Sequence, residues 1–156
     1  RRGLARALRP QHGVVAVDDV EDAYVFVTRA EFDARLDTGG FLEWNEFLGH
    51  AYGTPVPDES DNRDLLLEID VAGGRQVLDR LPQALCLFVD APDDDELRRR
   101  LIERGDGGER AEQRIAEAAR ERAEADVLGY RRVANDDLGT AIVTVRELID
   151  AARAGA

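Results

Sequence analysis

The sequence contains no lysine, because all 21 of its basic residues are arginine. For these 156 residues the absence excludes every mechanism that needs an amine side chain. Schiff-base chemistry, Ser-Lys hydrolysis and the phosphate-binding lysine of a Walker A loop are all in that class. Any phosphate chemistry must therefore depend on arginine.

Cysteine, histidine and serine are almost as scarce. Cys86 is the only cysteine, so no intrachain disulfide can form, and a reducing cytoplasm is the expected setting. His12 and His50 are the only histidines, so a Cys/His zinc site lacks ligands and we expect no resident metal. Ser60 is the only serine and has no histidine near it in sequence, which disfavours a Ser-His-Asp hydrolase.

Positive net charge and long apolar runs are also missing. The 33 acidic residues outnumber the basic ones and give a formal charge of −12, so the surface should repel nucleic acid and we expect no such partner. No apolar run approaches the ~18 residues that a membrane helix needs, and no signal-peptide pattern opens the chain. The length is that of one ordinary domain with its own core.

The hydrophobic pattern predicts strands that alternate with helices. The predicted strands are residues 24–27, 41–47, 65–71, 84–89 and 130–134. The second alternates apolar and polar residues, as half-buried strands do, whereas the third and fourth are almost wholly apolar, which indicates strands covered on both faces. Gly49 and residues 52–55 are typical of a turn, and Gly73-Gly74 of a loop after the third strand.

Helices are predicted between these strands. Thr28 and Glu31 form a capping box for the first, and Pro92 with Asp93 starts a later one that stops at Gly105. The predicted buried positions of the helices are Phe32, Leu36, Val77, Leu78, Leu81, Leu97, Leu101, Ile102, Ile142, Val145, Leu148 and Ile149. Residues 109–126 form a very charged helix with few apolar anchors, so we expect an exposed or mobile arm. Residues 138–154 form the closing helix, and the alternation predicts an open α/β sheet.

Four separated blocks form a recognisable pattern. They are Gly-Phe-Leu-Glu-Trp at residues 40–44 with Tyr-Gly-Thr-Pro at 52–55, Leu-Leu-Glu-Ile-Asp-Val-Ala-Gly at 66–73, Arg-Leu-Ile-Glu-Arg-Gly at 100–105, and Asn-Asp-Asp-Leu at 135–138. In order and spacing, over roughly residues 24–154, these blocks resemble the guanylate kinase family. The resemblance implies an α/β three-layer parallel-sheet fold of the P-loop NTPase, nucleoside monophosphate kinase type. It also implies ATP-dependent phosphorylation of GMP to GDP with Mg²⁺, so GMP and ATP are the expected partners.

The resemblance implies an organisation within one domain over residues 1–156. Residues 24–57 correspond to a small GMP-binding subdomain, residues 65–104 and 130–154 to the core, and residues 105–129 to a helical lid. Residues 1–23 are an atypical or truncated N-terminal segment.

The resemblance also assigns residues to the GMP site. Guanine presents two N–H donors, so one carboxylate can accept both and reject adenine. Glu43 matches that carboxylate and Thr54 matches a hydroxyl at the base, while Tyr24 and Tyr52 match the tyrosines that hold the GMP phosphate.

Two further carboxylates lie within the apolar run of residues 65–71. Asp70 matches the acidic position near the guanine and the metal, and Glu68 lies two residues before it on the same face of the predicted strand. An unpaired buried carboxylate costs ~3 kcal/mol or more, which favours a functional interpretation of Asp70 and leaves Glu68 open.

Arginines match the residues that bind ATP in the family. Arg100 and Arg104 lie four apart on one predicted helix and Arg114 follows in the lid, so they correspond to the groups that hold the ATP phosphates and stabilise the migrating phosphoryl. The alternative is a solvated helix face on which these arginines pair with Glu96 and Glu103. Asn135 matches the start of the segment beside the adenine.

The N-terminal region departs from the family. Neither the Gly-rich loop ending in Lys-Ser or Lys-Thr nor the Thr-Thr-Arg block, which supplies two arginines to the GMP phosphate, is found in residues 1–23. Residues 4–8 fit the end of the helix that follows such a loop, and residues 14–17 allow a short strand. Truncation before residue 1 is the simplest explanation, and a shifted reading frame across residues 14–19 is another.

Without that loop the ATP phosphates lack their main binding site, so we expect poor phosphotransfer. Two alternatives stay open at this point. One is a non-catalytic guanylate-kinase-like binding module, and the other is a decayed fragment without function.

Overall fold

A computed structural model describes residues 3–4, 7–10, 24–47, 50–57, 60 and 64–155. The chain divides into two compact units, Arg1–Gln83 and Ala84–Ala156. The strand predicted at residues 14–17, the turn at Gly49 and much of the loop before residue 64 lie outside the described residues. The finer boundaries of subdomain, core and lid stay a prediction.

The first unit contains two sheets. Its strands are β1 (Gly3–Leu4), β2 (Ala7–Pro10), β3 (Tyr24–Val27), β4 (Phe41–Phe47), β5 (His50–Pro55) and β6 (Leu65–Leu66). Four of them form a sheet of order β3-β2-β5-β4, in which β2 and β3 are parallel and the other neighbours antiparallel, while β1 and β6 form a parallel pair. Strand β4 is therefore at one edge of the four-stranded sheet in the described part of the chain.

Two predictions about the first unit are wrong because of this pairing. Residues 52–55 belong to strand β5, which pairs with β4 from Phe47↔His50 to Phe41↔Pro55, and do not form a turn. The N-terminal segment predicted as a helix end contains strands β1 and β2 instead. The backbone groups of β2 are shared between β3 and β5, and this pairing replaces the hydrogen bonds of a helix.

The first helix, α1 (Arg29–Asp37), begins at the predicted capping box. The Thr28 hydroxyl accepts a hydrogen bond from the Glu31 backbone N–H at 3.3 Å, and the Thr28 N–H donates to the Glu31 carboxylate at 2.7 Å. The helix buries Phe32, whose ring stacks on Phe41 of β4 with centroids 4.4 Å apart. The helix start and the burial of Phe32 are both as the sequence predicts.

We expect Thr28→Ala to lower the free energy of unfolding by about 1 kcal/mol, because it leaves a helix N–H without its acceptor. Urea unfolding followed by circular dichroism measures this change. Thr38→Ala is the control, because Thr38 follows the last turn of α1 and its hydroxyl contacts only the Arg35 carbonyl there. Equal losses for the two variants would contradict a specific contribution from the capping box.

The strand predicted over residues 65–71 is mostly not a strand. Only Leu65 and Leu66 pair, and Leu66 is 59% exposed, so this strand is not covered on both faces. Asp70 is the N-cap of helix α2 (Val71–Arg80), and its side chain accepts a hydrogen bond from the Gly73 N–H at 2.7 Å. Because the cap starts the helix at Val71, Gly73 and Gly74 lie in its first turns and are buried.

The second unit contains one parallel pair of strands and three helices. The elements are β7 (Leu87–Asp90), α3 (Asp94–Glu103), α4 (Gly108–Val127), β8 (Arg131–Ala134) and α5 (Leu138–Ala154). The register of the pair runs from Leu87↔Arg131 to Asp90↔Ala134. Asp93 and Asp137 accept hydrogen bonds from backbone N–H groups at the starts of α3 and α5, in agreement with the predicted start of α3 and the predicted span of α5.

Helix α4 is exposed along most of its length, as its charge predicts, but one of its faces packs against α3. Ala111 and Ile115 are buried against Leu101 of α3, with Leu97 packed beside them. Small alanine side chains allow the two helices to approach, so few large anchors are needed. Leu81, Ile102 and Ile142, which were predicted to be buried, are 37%, 54% and 49% exposed.

Candidate functional site

The predicted residues of the first unit meet where the start of α2 packs on strand β4. Glu43, on β4, is 3% exposed, and Thr54, opposite it on β5, is equally buried. The Glu43 Oε1 atom accepts hydrogen bonds from the Thr54 hydroxyl at 2.6 Å and from the Thr54 backbone N–H at 3.0 Å. One oxygen of a buried carboxylate is thereby fixed in position.

The other oxygen of Glu43 is differently placed. Within the described part of the chain, Oε2 accepts no hydrogen bond, and it lies where a Cβ on Gly73 would approach to 2.8 Å. Burial raises the pKa of Glu43; the Thr54 hydrogen bonds oppose the rise and the nearby charge of Asp70 adds to it. A buried acceptor without a donor is costly, and a ligand with an N–H donor would remove that cost.

Asp70 has internal partners on both carboxylate oxygens. Its Oδ1 accepts the Gly73 N–H, and its Oδ2 accepts hydrogen bonds from the Asn45 amide at 2.7 Å and from the Tyr52 hydroxyl at 3.1 Å. Asp70 therefore links the helix start to both β4 and β5. The structure brings together Glu43, Thr54, Tyr52 and Asp70, four of the predicted site residues.

A side chain of α2 also binds the backbone of β4. The Gln76 Nε2 atom donates to the Trp44 carbonyl at 2.7 Å, and its Oε1 atom accepts from the Trp44 N–H at 3.2 Å. The two hydrogen bonds are those that a neighbouring strand would make with Trp44.

Two predicted residues of the first unit are outside this cluster. Glu68 lies in the irregular segment between β6 and α2 and is exposed, so its predicted place on a shared strand face with Asp70 is wrong. Strand β3 begins at Tyr24, as predicted, but the Tyr24 side chain lies outside the described residues.

The predicted ATP-binding arginines lie in the second unit. The Arg100 Nε atom contacts Glu96 at 2.6 Å, and its NH2 group lies 3.4 Å from the Asp136 carbonyl. Hydrogen bonds from Arg99 and Arg100 lower the pKa of Glu96 to about 2. Arg100 and Glu96 are both half-buried in this pair, and the role of Arg100 as an ATP contact stays a prediction.

Arg104 and Arg114 are more exposed. Arg104 is the C-cap residue of α3, and its guanidinium has no partner among the residues that the structure describes. Arg114, on α4, lies 3.6 Å from Asp106. Asn135 follows β8 directly, and its N–H donates to the Asp90 carbonyl at 2.7 Å. All three stay predictions as ATP contacts.

Three side-chain roles were not predicted from the sequence. Asn45 and Gln76 support the cluster around Glu43, and Arg122 of α4 binds Asp90 and Asp94 (2.6 Å to Asp94) beside a pocket of about 390 Å³ in the second unit. Only Asn45 carried a usable signal, because it lies two residues after Glu43 and so on the same face of the strand.

The described residues contain neither a metal-binding cluster nor a helix that could span a membrane. No group of three or more His, Cys, Asp or Glu side chains in these ranges is arranged to hold a metal ion. No helix among those described is both long enough and apolar enough to cross a bilayer.

Comparison with known proteins shows which family this chain belongs to. The guanylate kinase family model matches residues 16–152. The chain belongs to the guanylate kinase family. A guanylate kinase of Thermus thermophilus is 40% identical over 142 residues, which are 88% of this chain and 63% of that protein. The guanylate kinase of Synechococcus sp. CC9311 is 38% identical, over 80% of this chain and 67% of its own length.

The fold of this chain is also similar to that of a solved guanylate kinase structure. The crystal structure of guanylate kinase from Anaplasma phagocytophilum matches with a TM-score of 0.72 and 23% identity, over 96% of this chain and 74% of that chain. The α/β fold of P-loop nucleoside monophosphate kinase type is thus confirmed. The chain spans about two thirds of the length of the curated relatives it matches.

Proposed function

We propose that this chain binds GMP and that Glu43 recognises the guanine ring. The observation that supports the proposal is the buried Oε2 atom of Glu43, which has no hydrogen-bond donor in the described part of the chain. Guanine has N1–H and N2–H donors on one edge, and adenine has an acceptor in place of N1–H. Thr54 keeps the carboxylate oriented, so guanine gains hydrogen bonds where adenine meets repulsion between acceptors.

The phosphate of GMP is proposed to lie near Tyr52 and Tyr24. The Tyr52 hydroxyl has a single proton, which it donates to Asp70 at 3.1 Å. Donation to a phosphate oxygen would therefore require this bond to Asp70 to be exchanged. Asp70 would keep the Asn45 amide and the Gly73 N–H as partners.

Phosphoryl transfer from ATP to GMP is the reaction that the family implies, and we propose Arg100, Arg104, Arg114 and Asn135 as its ATP contacts. Arginine supplies fixed positive charge for the transferring phosphoryl group. Mg²⁺ usually takes most of its ligands from nucleotide phosphates and water, which fits a chain whose described residues offer no three-ligand cluster. When bound, Mg²⁺ neutralises charge that develops on the phosphate oxygens.

A second candidate is a nucleotide-binding module with little or no catalysis, and it is favoured by the absence of lysine from all 156 residues. The family's phosphate loop ends in lysine. Residues 1–23 contain no Gly-rich loop in which an arginine takes the place of that lysine. We expect these residues alone to bind GMP but to transfer phosphoryl slowly.

Calorimetric titration of the chain with GMP and with AMP tests the binding proposal. We expect GMP to bind at least about 10-fold more tightly than AMP, since one charged hydrogen bond contributes about 1.5–3 kcal/mol. Inosine monophosphate, which lacks the N2 amine, should fall between them. Equal binding of GMP and AMP, or no binding of either, would contradict guanine recognition by Glu43.

A coupled assay of ADP formation with ATP, GMP and Mg²⁺ separates the two candidates. Turnover of about 1–100 per second, ordinary for a kinase, would favour the enzyme and contradict our expectation of slow transfer. Selective GMP binding with no ADP formation would favour the module.

A further inference from the structure

The side chain of Gln76 joins the middle of α2 to the backbone of strand β4. Its amide bonds to both the N–H and the C=O of Trp44, at 3.2 Å and 2.7 Å. Because β4 is an edge strand of its described sheet, these backbone groups have no strand beside them. The amide fixes the distance and the orientation, relative to α2, of the two peptide groups that flank Trp44.

The residues on either side of Trp44 are the ones that face the start of α2. Glu43 and Asn45 are two apart on β4, so their side chains project from the same face. Glu43 lies against Gly73, and Asn45 donates to Asp70 at 2.7 Å. A shift of the backbone at Trp44 would therefore move the Glu43 carboxylate, the proposed acceptor of the guanine hydrogens.

We propose that Gln76 is a positioning residue for guanine recognition, which acts through the backbone on both sides of Trp44 to set the position of the Glu43 carboxylate. This inference rests on the proposed function. Gln76 itself need not touch the nucleotide, because both ends of its amide are used on the backbone. Its replacement should therefore clearly lower the affinity for GMP relative to AMP, while the free energy of unfolding changes less.

The decisive pair of variants is Gln76→Met and Gln76→Glu. Methionine keeps the length of the side chain but makes neither hydrogen bond, so GMP should bind about 10-fold more weakly, while AMP binding should change little. Ionised glutamate can accept from the Trp44 N–H but cannot donate to its carbonyl. Protonated glutamate has one donor and one acceptor, as the amide does.

Titrations with GMP at pH 7.5 and at pH 5 compare the ionised and the protonated forms of the introduced glutamate. Glu43 and Asp70 are the other titratable groups of the cluster, so each variant is compared with the wild type at the same pH. The affinity of Gln76→Glu, relative to the wild type, should recover in part at pH 5, because a minority of carboxyls with the ordinary pKa of about 4.3 are protonated there, whereas that of Gln76→Met should not. Gln113→Glu, at an exposed position of α4, is the matched control and should follow the wild type at both values.

Hydrogen exchange gives a readout that needs no nucleotide. The Trp44 amide hydrogen, which is donated to Gln76, should exchange at least about 10-fold faster in Gln76→Met. Because Trp44 is the only tryptophan, its fluorescence reports a change in the surroundings of the same residue. If the wild type binds GMP and Gln76→Met binds it equally well, the positioning role of Gln76 is overturned and the proposed function is not. If the wild type binds no GMP, the proposed function fails and this inference fails with it, whatever the exchange rates.

Discussion

Replacement of Glu43 by glutamine should weaken GMP binding by about 10- to 100-fold and leave AMP binding almost unchanged. Glutamine can keep both hydrogen bonds from Thr54 on its carbonyl oxygen. Its NH₂ group then takes the place of Oε2, so that a donor faces the donors of guanine. Parallel calorimetric titrations of wild type and variant with the two nucleotides measure this loss.

The same variant should be at least as stable as the wild type at pH 7. Burial raises the pKa of Glu43 above its ordinary value, so the unfolded chain releases this proton at lower pH than the folded chain does. The contribution of Glu43 to stability therefore decreases as pH rises from the ordinary pKa to the raised one and is constant above it. In Glu43→Gln this decrease should be absent, as urea unfolding at pH 4, 5.5 and 7 would show.

Glu46→Gln is the matched control for both measurements. Glu46 is on the same strand, but its side chain is 45% exposed and pairs only with exposed Arg29 in the described part of the chain. An exposed pair of this kind contributes about 0–1 kcal/mol, so binding should not change. A Glu43→Gln variant that binds GMP as the wild type does would contradict the assignment of Glu43 to guanine.

The largest loss of stability is expected for Gly53→Ala. A Cβ at this position of β5 would lie 2.7 Å from the Glu43 carbonyl oxygen, 2.9 Å from the Trp44 Cβ and 3.0 Å from a ring carbon of Phe41. Two of these neighbours are backbone or Cβ atoms that cannot move without moving β4. We expect the free energy of unfolding to fall by about 3 kcal/mol, at the upper end of the usual cost of overpacking.

Thermal and urea unfolding measure this loss, and Gly108→Ala is its control. Gly108 begins α4, and a methyl group added there would meet nothing within 4 Å, so alanine should be neutral or stabilising by up to about 1 kcal/mol. Similar stabilities for Gly53→Ala and the wild type would show that β4 and β5 separate more easily than their contacts indicate. GMP binding should fall together with the stability of Gly53→Ala, since Glu43 lies on the displaced strand.

Local signals in the sequence predicted the parts of the fold that local interactions determine. The capping box at Thr28 depends on residues three apart, and the span of α5 follows from Asp137 and a continuous helical pattern. The apolar run before Asp70 was misassigned because a buried strand and the approach to a buried helix have the same composition. Asp70 is the N-cap of α2 in the structure, and hydrophobicity alone does not predict such a polar cap.

The candidate site divides in the same way. Glu43, Thr54 and Tyr52 lie in blocks that resemble the family, and strand pairing places Glu43 opposite Thr54 and Asn45 opposite Tyr52. Gln76 had no such signal, because its partners are backbone atoms, and any residue except proline at position 44 would present the same N–H and C=O. Side-chain contacts to the backbone leave little trace in a single sequence.

The hydrogen bonds between Gln76 of α2 and the edge strand β4 also affect whether molecules of this protein aggregate. An edge strand with free N–H and C=O groups is a template for pairing with a strand of a second molecule, which leads to aggregation. At Trp44 both groups are already bonded to the side chain of Gln76, and the helix that carries it lies over that edge. A strand from another molecule would have to break both bonds before it could add there, so the contact that orients Glu43 also protects the sheet from intermolecular growth.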